Sequence, residues 1–286
     1  MACKRASAND PNCKHWELAV NRQMMADFDD LTSELNEMGL IKLEGVVPVK
    51  EARNAFRMIL ECANEHGIYS AGRWMQSTSR FGYPKPFRNA LNALNRAKEF
   101  PTLLGDQLKH KIEQLIGQPV TPLSPGQQIL FSLPSTQDWS VPSDAWHIDL
   151  PKIGEKTSPG LQAFTFLDDV EPTGGATLVI AGSHHLENNT VNLSSKELKR
   201  RLQREDYFRS FFDPKRAPIN RLAETKATVK GFDLEVIELS GTVGDVYLMD
   251  LRMLHTPALN CSDKARLMLT CRFPTTSIAA SFANPN

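Results

Sequence analysis

The second half of the chain limits the fold most. Residues 40–47, 127–133, 145–150, 161–167, 176–180, 232–239, 245–250 and 265–273 are short runs of β-forming residues. Turn residues separate them, as in Pro172-Thr173-Gly174-Gly175 and Ser240-Gly241-Thr242-Val243-Gly244. Many short strands with regular turn signals predict a β-sandwich or jelly roll. The last run sharpens this reading. Arg266, Met268, Thr270 and Arg272 fall on one face of a strand, and Leu267, Leu269, Cys271 and Phe273 on the other. The apolar set must face a core.

Before Pro119 the period changes to that of helices. Met24, Phe28, Leu31, Leu35 and Met38 recur at spacings of three and four, with Gly39 as the stop. Further helices are expected over 50–66, 89–98 and 102–117, and a short basic one over 195–204. The expected organisation is a polar tail (1–20) and one domain (21–286), with a helical part (21–118) buttressing a jelly-roll core (119–275). Two stretches resist assignment. Residues 207–230 have no clear period and read as an inserted loop. Residues 69–88 carry Arg73, Trp74, Arg80, Phe81, Tyr83, Lys85, Phe87 and Arg88 among Gly and Pro. They are either a substrate lid or a loop pinned down by its aromatics, with solvated cations.

Lys+Arg and Asp+Glu balance at 33 each, so no global field favours nucleic acid or an anionic membrane. The five cysteines form no Cys-x-x-Cys pair, which reads as reduced intracellular thiols and not a disulfide framework. The N-terminal residues lack an apolar signal-peptide core, and no run of 18 apolar residues exists. The expectation is a cytoplasmic protein, monomer or homodimer, acting on a small molecule.

The chemistry centres on Trp146-His147-Ile148-Asp149. In an extended chain His147 and Asp149 share a face, so an imidazole and a carboxylate make two thirds of a metal site. His255 could complete it; His184 and His185 compete for that place. Two His and one carboxylate, with open positions opposite, suit a non-haem Fe(II) oxygenase. Arg266, in mid-strand, suits a bidentate grip on a carboxylate, or else a solvated sheet face.

In order and spacing, these pieces resemble the phytanoyl-CoA dioxygenase family of Fe(II)- and 2-oxoglutarate-dependent oxygenases, which adopt a double-stranded β-helix. The pieces are His147-x-Asp149, Gly174-Gly175-Ala176-Thr177-Leu178-Val179-Ile180, Gly182-Ser183-His184, Gly244-Asp245, His255 and, eleven residues on, Arg266. The resemblance covers roughly 120–275. It implies that His147, Asp149 and His255 hold iron and that Arg266 grips the distal carboxylate of 2-oxoglutarate. It also implies that Gln128 and Thr165 contact the cosubstrate, while Gly-Ser-His shapes a turn. Many members carry Ser two residues after the distal His. This chain has Pro257 there, and Thr256 should face away.

The resemblance further implies O₂ as oxidant, ascorbate as a useful reductant in vitro, and succinate and CO₂ as coproducts. Asp149 stands where halogenating relatives leave room for chloride, so hydroxylation or desaturation is expected. Arg73, Trp74, Arg80, Phe81 and Trp146 are the candidate substrate contacts, suiting a carboxylate-bearing metabolite such as an amino acid derivative or natural-product intermediate. Two other readings remain: a cupin-like metalloenzyme without 2-oxoglutarate, and a non-catalytic metal-binding module.

Overall fold

The computed structural model describes residues 28–79, 82–149, 158–186 and 195–283. The tail 1–20, Arg80, Phe81 and Leu150 lie outside the described residues. Two antiparallel sheets carry the chain. The larger takes β1 (Leu40–Leu43), β9 (Val246–Asp250), β5 (Gly160–Phe166), β11 (Arg266–Pro274) and β4 (Gln128–Ser132), in that order. The smaller takes β10 (His255–Pro257), β6 (Thr177–Ala181), β8 (Phe232–Glu238) and β7 (Ala227–Val229). A short hairpin, β2 (Tyr69–Ser70) with β3 (Arg73–Trp74), stands apart. This is the expected mainly-β, jelly-roll class.

Strand alternation sorts side chains into three apolar layers. Leu267, Leu269, Cys271 and Phe273 of β11 join Leu161 and Ala163 of β5 and Ile41 and Leu43 of β1 on the outer face of the large sheet. There they meet α2 (Val49–Glu65), α3 (Lys85–Asn95) and α4 (Asp106–Ile116) through Ala52, Ile59, Phe87 and Ile112. Between the sheets lie Phe164, Phe166, Val179, Met249 and Met268. Outside the small sheet, Leu178, Ile180 and Val236 pack on α5 (Ser195–Leu202) and α6 (Asp206–Phe211) through Leu198, Phe208 and Phe211. Each buried aromatic is worth about 2 kcal/mol of transfer free energy.

Three elements differ from the sequence reading. Of the stretch 145–150, the described residues 145–149 form no strand and pair only at His147. The supposed insertion 207–230 contains α6, a 3₁₀ turn at Leu222–Thr225 and β7. These pieces are too short to show a period in sequence, and their burial against the small sheet stabilises them. In 69–88, Trp74, Tyr83 and Phe87 all pack on Phe131, with centroids at 5.8, 5.3 and 5.1 Å. Arg73, Lys85 and Arg88 are exposed, so the described part is a loop pinned by aromatics. Among the described residues, no helix is long and apolar enough to cross a membrane.

A helix (α1, 28–38) precedes β1, and Gly39 joins them at φ 72°. A Cβ there would lie 2.5 Å from His184 Nδ1 and 2.7 Å from Met253 Sδ. Gly39→Ala adds left-handed backbone strain to this overlap, and we expect it to cost about 1–3 kcal/mol, read as a lowered urea midpoint at unchanged m-value.

Candidate metal centre

One reciprocal pair of backbone hydrogen bonds places the first ligand beside the last. His147 N–H donates to His255 O at 3.0 Å, and His255 N–H donates to His147 O at 2.9 Å. The two rings then lie 4.2 Å apart, centroid to centroid. Each ring is oriented from behind. His147 Nδ1 meets Ala145 O at 2.9 Å, where Ala145 turns at φ 60°. His255 Nδ1 meets Met253 O at 3.1 Å. A carbonyl only accepts, so both Nδ1 atoms carry a proton, and in the neutral rings both Nε2 lone pairs are left for a ligand.

Asp149 faces both. Its Oδ1 is 3.7 Å from His147 Nε2, and its Oδ2 is 3.5 Å from His255 Nε2. The three donor atoms lie within 4.8 Å of one another. Two imidazole nitrogens and one carboxylate oxygen converging in this way fit a divalent first-row metal. Burial pushes the Asp149 carboxyl up. The hydrogen bond and charge of His255, with those of Arg272, outweigh it and hold the group well below the usual carboxylate range. Burial, with the neighbouring His255 charge, lowers His147. An ionised Asp149 and a neutral His147 are the charge states a metal needs.

The histidines open onto a cavity of about 270 Å³ between the sheets. Its wall includes Arg266, 6% exposed. The Arg266 Nε donates to Gly175 O at 2.9 Å, while Nη1 has no partner among the described residues. Burial pulls this guanidinium down to about 10. A buried cation with an unused donor is costly unless an anion completes it. The cavity wall thus carries a buried cation suited to a carboxylate beside two of the three side chains that could hold a metal.

The family model for phytanoyl-CoA dioxygenase (PhyH) matches residues 76–268. The chain belongs to this family. No curated protein sequence matches it closely enough to count as a relative. Among solved structures, it is similar to the non-heme alpha ketoglutarate dependent carbocyclase SnoK from nogalamycin biosynthesis: 17% identity, TM-score 0.51, covering 86% of this chain and 83% of that one. It is also similar to the epimerase SnoN, solved with Fe3+, alpha ketoglutarate and nogalamycin RO (16%, 0.50, 87% and 84%). The non-heme monooxygenase ThoJ with nickel is a third (12%, 0.51, 86% and 77%). At these identities the likeness is one of fold.

In this family member the other residues singled out in the sequence take varied places. Gln128 stands behind the centre, its Oε1 3.4 Å from Arg272 Nη1. Thr165 does not reach the cavity. It falls on the helix-facing side of β5 and spends its hydroxyl on Asp245 O at 2.9 Å. Trp146 is core, packed on Phe211 at 5.5 Å, with its indole N–H on Pro142 O at 2.8 Å. Arg73 is exposed on the hairpin, and Trp74 braces Phe131, which lines the cavity. His184 and His185 lie elsewhere, against Asn36 O and Glu37 O at 3.1 Å each. Thr256 is fully buried on the far face of β10.

Arg272 is the site residue that sequence reasoning passed over. Its Nε donates to Asp149 Oδ2 at 2.7 Å. Its place on the Arg266 face of β11 was the available signal. A carboxyl held below its usual range stabilises the fold above the unfolded value, about 3.9, and that contribution fades as acid protonates it. Arg272→Ala removes one cause of the depression. In metal-free protein, the variant should therefore lose less stability than wild type between about pH 5 and pH 3, read from urea midpoints at the two pH values.

Proposed function

We propose that this protein is an Fe(II)- and 2-oxoglutarate-dependent oxygenase that hydroxylates an unactivated C–H bond of a small-molecule metabolite. One observation carries the reading: His147, His255 and the buried Arg266 cation line a single cavity, and Asp149 converges on the two histidines. His147, Asp149 and His255 would hold the iron, leaving positions open opposite them. Arg266 would take the distal carboxylate of 2-oxoglutarate as a charge-assisted pair. With 2-oxoglutarate and O₂, bound Fe(II) supplies an oxidant able to attack a C–H bond, with succinate and CO₂ as coproducts. The chain's own part is to orient the ligands and keep the cavity dry.

The small volume favours a small substrate. Tyr83, Phe131 and Phe164 offer apolar contact, and Gln162 and Arg272 offer polar contact, which suits a metabolite with an apolar body and a carboxylate. A cupin-like metalloenzyme without the cosubstrate is the competing reading, and it gives Arg266 no role. We infer a single domain, acting in the cytoplasm, from the continuous helix-facing core and from the thiols.

The test uses protein loaded with Fe(II) and ascorbate and follows succinate formed from 2-oxoglutarate with a panel of metabolites. Slow basal succinate, raised by a true substrate, is expected. His255→Ala should abolish it, and Arg266→Met should raise the 2-oxoglutarate KM about a hundredfold. Metal binding without 2-oxoglutarate binding would favour the cupin-like reading; binding of neither would remove the enzyme reading.

A further inference from the structure

The segment that carries His147 and Asp149 lies in no strand, yet both edges of its backbone are held. In an extended chain, successive residues point their N–H and C=O to opposite edges. His147 uses one edge, in its reciprocal pair with His255 of β10. Ile148, between the two candidate ligands, therefore turns its N–H and C=O to the other edge. There the Ser195 hydroxyl meets both. It accepts from Ile148 N–H at 3.2 Å and donates to Ile148 O at 3.2 Å. A hydroxyl has one proton to give and lone pairs to accept with, so a single oxygen does what a paired residue would do in a ladder.

Ser195 opens α5, and a serine at a helix start ordinarily caps that helix. Here, among the described residues, its hydroxyl bonds to Ile148 alone. Ile148 is buried, and among the described residues no other group meets its N–H or C=O. Buried backbone groups left unpaired are costly, so the segment is drawn into register with this oxygen. α5 itself is seated by Leu198 and Leu202, which pack in the same apolar layer as Trp146 and Ile148. The oxygen is thus carried on a fixed element.

We propose that Ser195 is a positioning residue of the metal centre: holding the Ile148 backbone from the edge opposite His255, it fixes the spacing of His147 and Asp149 around the ion. Ser195 has this role only if those two side chains are metal ligands, and it has it whether or not 2-oxoglutarate is the cosubstrate. Groups that orient metal ligands from behind typically set metal affinity by roughly ten- to a hundredfold.

Calorimetric titration of the metal-free protein with Ni(II), and the visible spectrum of the Co(II)-loaded protein, test this without turnover. Ser195→Ala should raise the Ni(II) Kd about tenfold and shift the Co(II) d–d bands. Ser195→Thr, which keeps the hydroxyl, should restore both. Arg200→Gly separates this role from mere support of the helix. It loosens α5 at an exposed position and keeps the oxygen, so Kd and spectrum should stay at their wild-type values. An unchanged Ni(II) Kd in Ser195→Ala overturns the proposal, as does an equal rise in Arg200→Gly. Wild-type protein that binds no Ni(II) sinks the metal reading itself, and this assignment with it. That outcome is visible before any variant is made.

Discussion

The pair of backbone hydrogen bonds between His147 and His255 holds the site together. The segment carrying Trp146-His147-Ile148-Asp149 belongs to no strand, so little else in its backbone ties it to the small sheet. On either side of the bridge the burial of Trp146 and Ile148 keeps the segment from rotating, because both insert into the core outside that sheet. His147 and Asp149 are then turned the other way, toward the large sheet. The candidate metal ligands are positioned by apolar packing behind them and by one antiparallel contact beside them. Neither requires a metal, so the donor set is preorganised.

The large sheet contributes the charges. Arg266 and Arg272 share a face of β11 at opposite ends of the strand, and the cavity runs between them. Arg272 is paired with Asp149, whereas among the described residues Arg266 bonds only to a backbone carbonyl. That asymmetry separates their roles. The first cation neutralises a fixed carboxylate of the protein; the second has no such partner among the described residues. Keeping Arg266 buried without a counter-charge costs stability, and such costs collect at binding sites, where a ligand offsets them.

The Gly-Ser-His turn shows how the same fold uses histidine structurally. His184 is buried against α1, and burial pulls its imidazole down to about 4. It has a backbone carbonyl for a partner and, among the described residues, no carboxylate in bonding range, and its place over Gly39 is set by shape. A buried imidazole becomes part of a metal site only when other donors face it. His255 meets that condition with Asp149 at 3.5 Å.

The sequence by itself determined the fold class and singled out the three side chains that converge and the arginine that lines the cavity. Each depends on local periodicity, or on the order of residue types that a strand must present: His147 and Asp149 two apart, Arg266 alternating with apolar neighbours. Tertiary structure alone decided which face of a strand meets the cavity. Strand β5 is buried on both sides, so alternation separates Thr165 from Gln162 and Phe164 without saying which set is inside. The strand's place between helices and the small sheet settles that, and it turns Thr165 outward. Trp146 went to the core for the same reason. The Arg272–Asp149 pair joins residues 123 positions apart. It exists because β11 and the His147 segment meet across the cavity, a distance that no local pattern encodes.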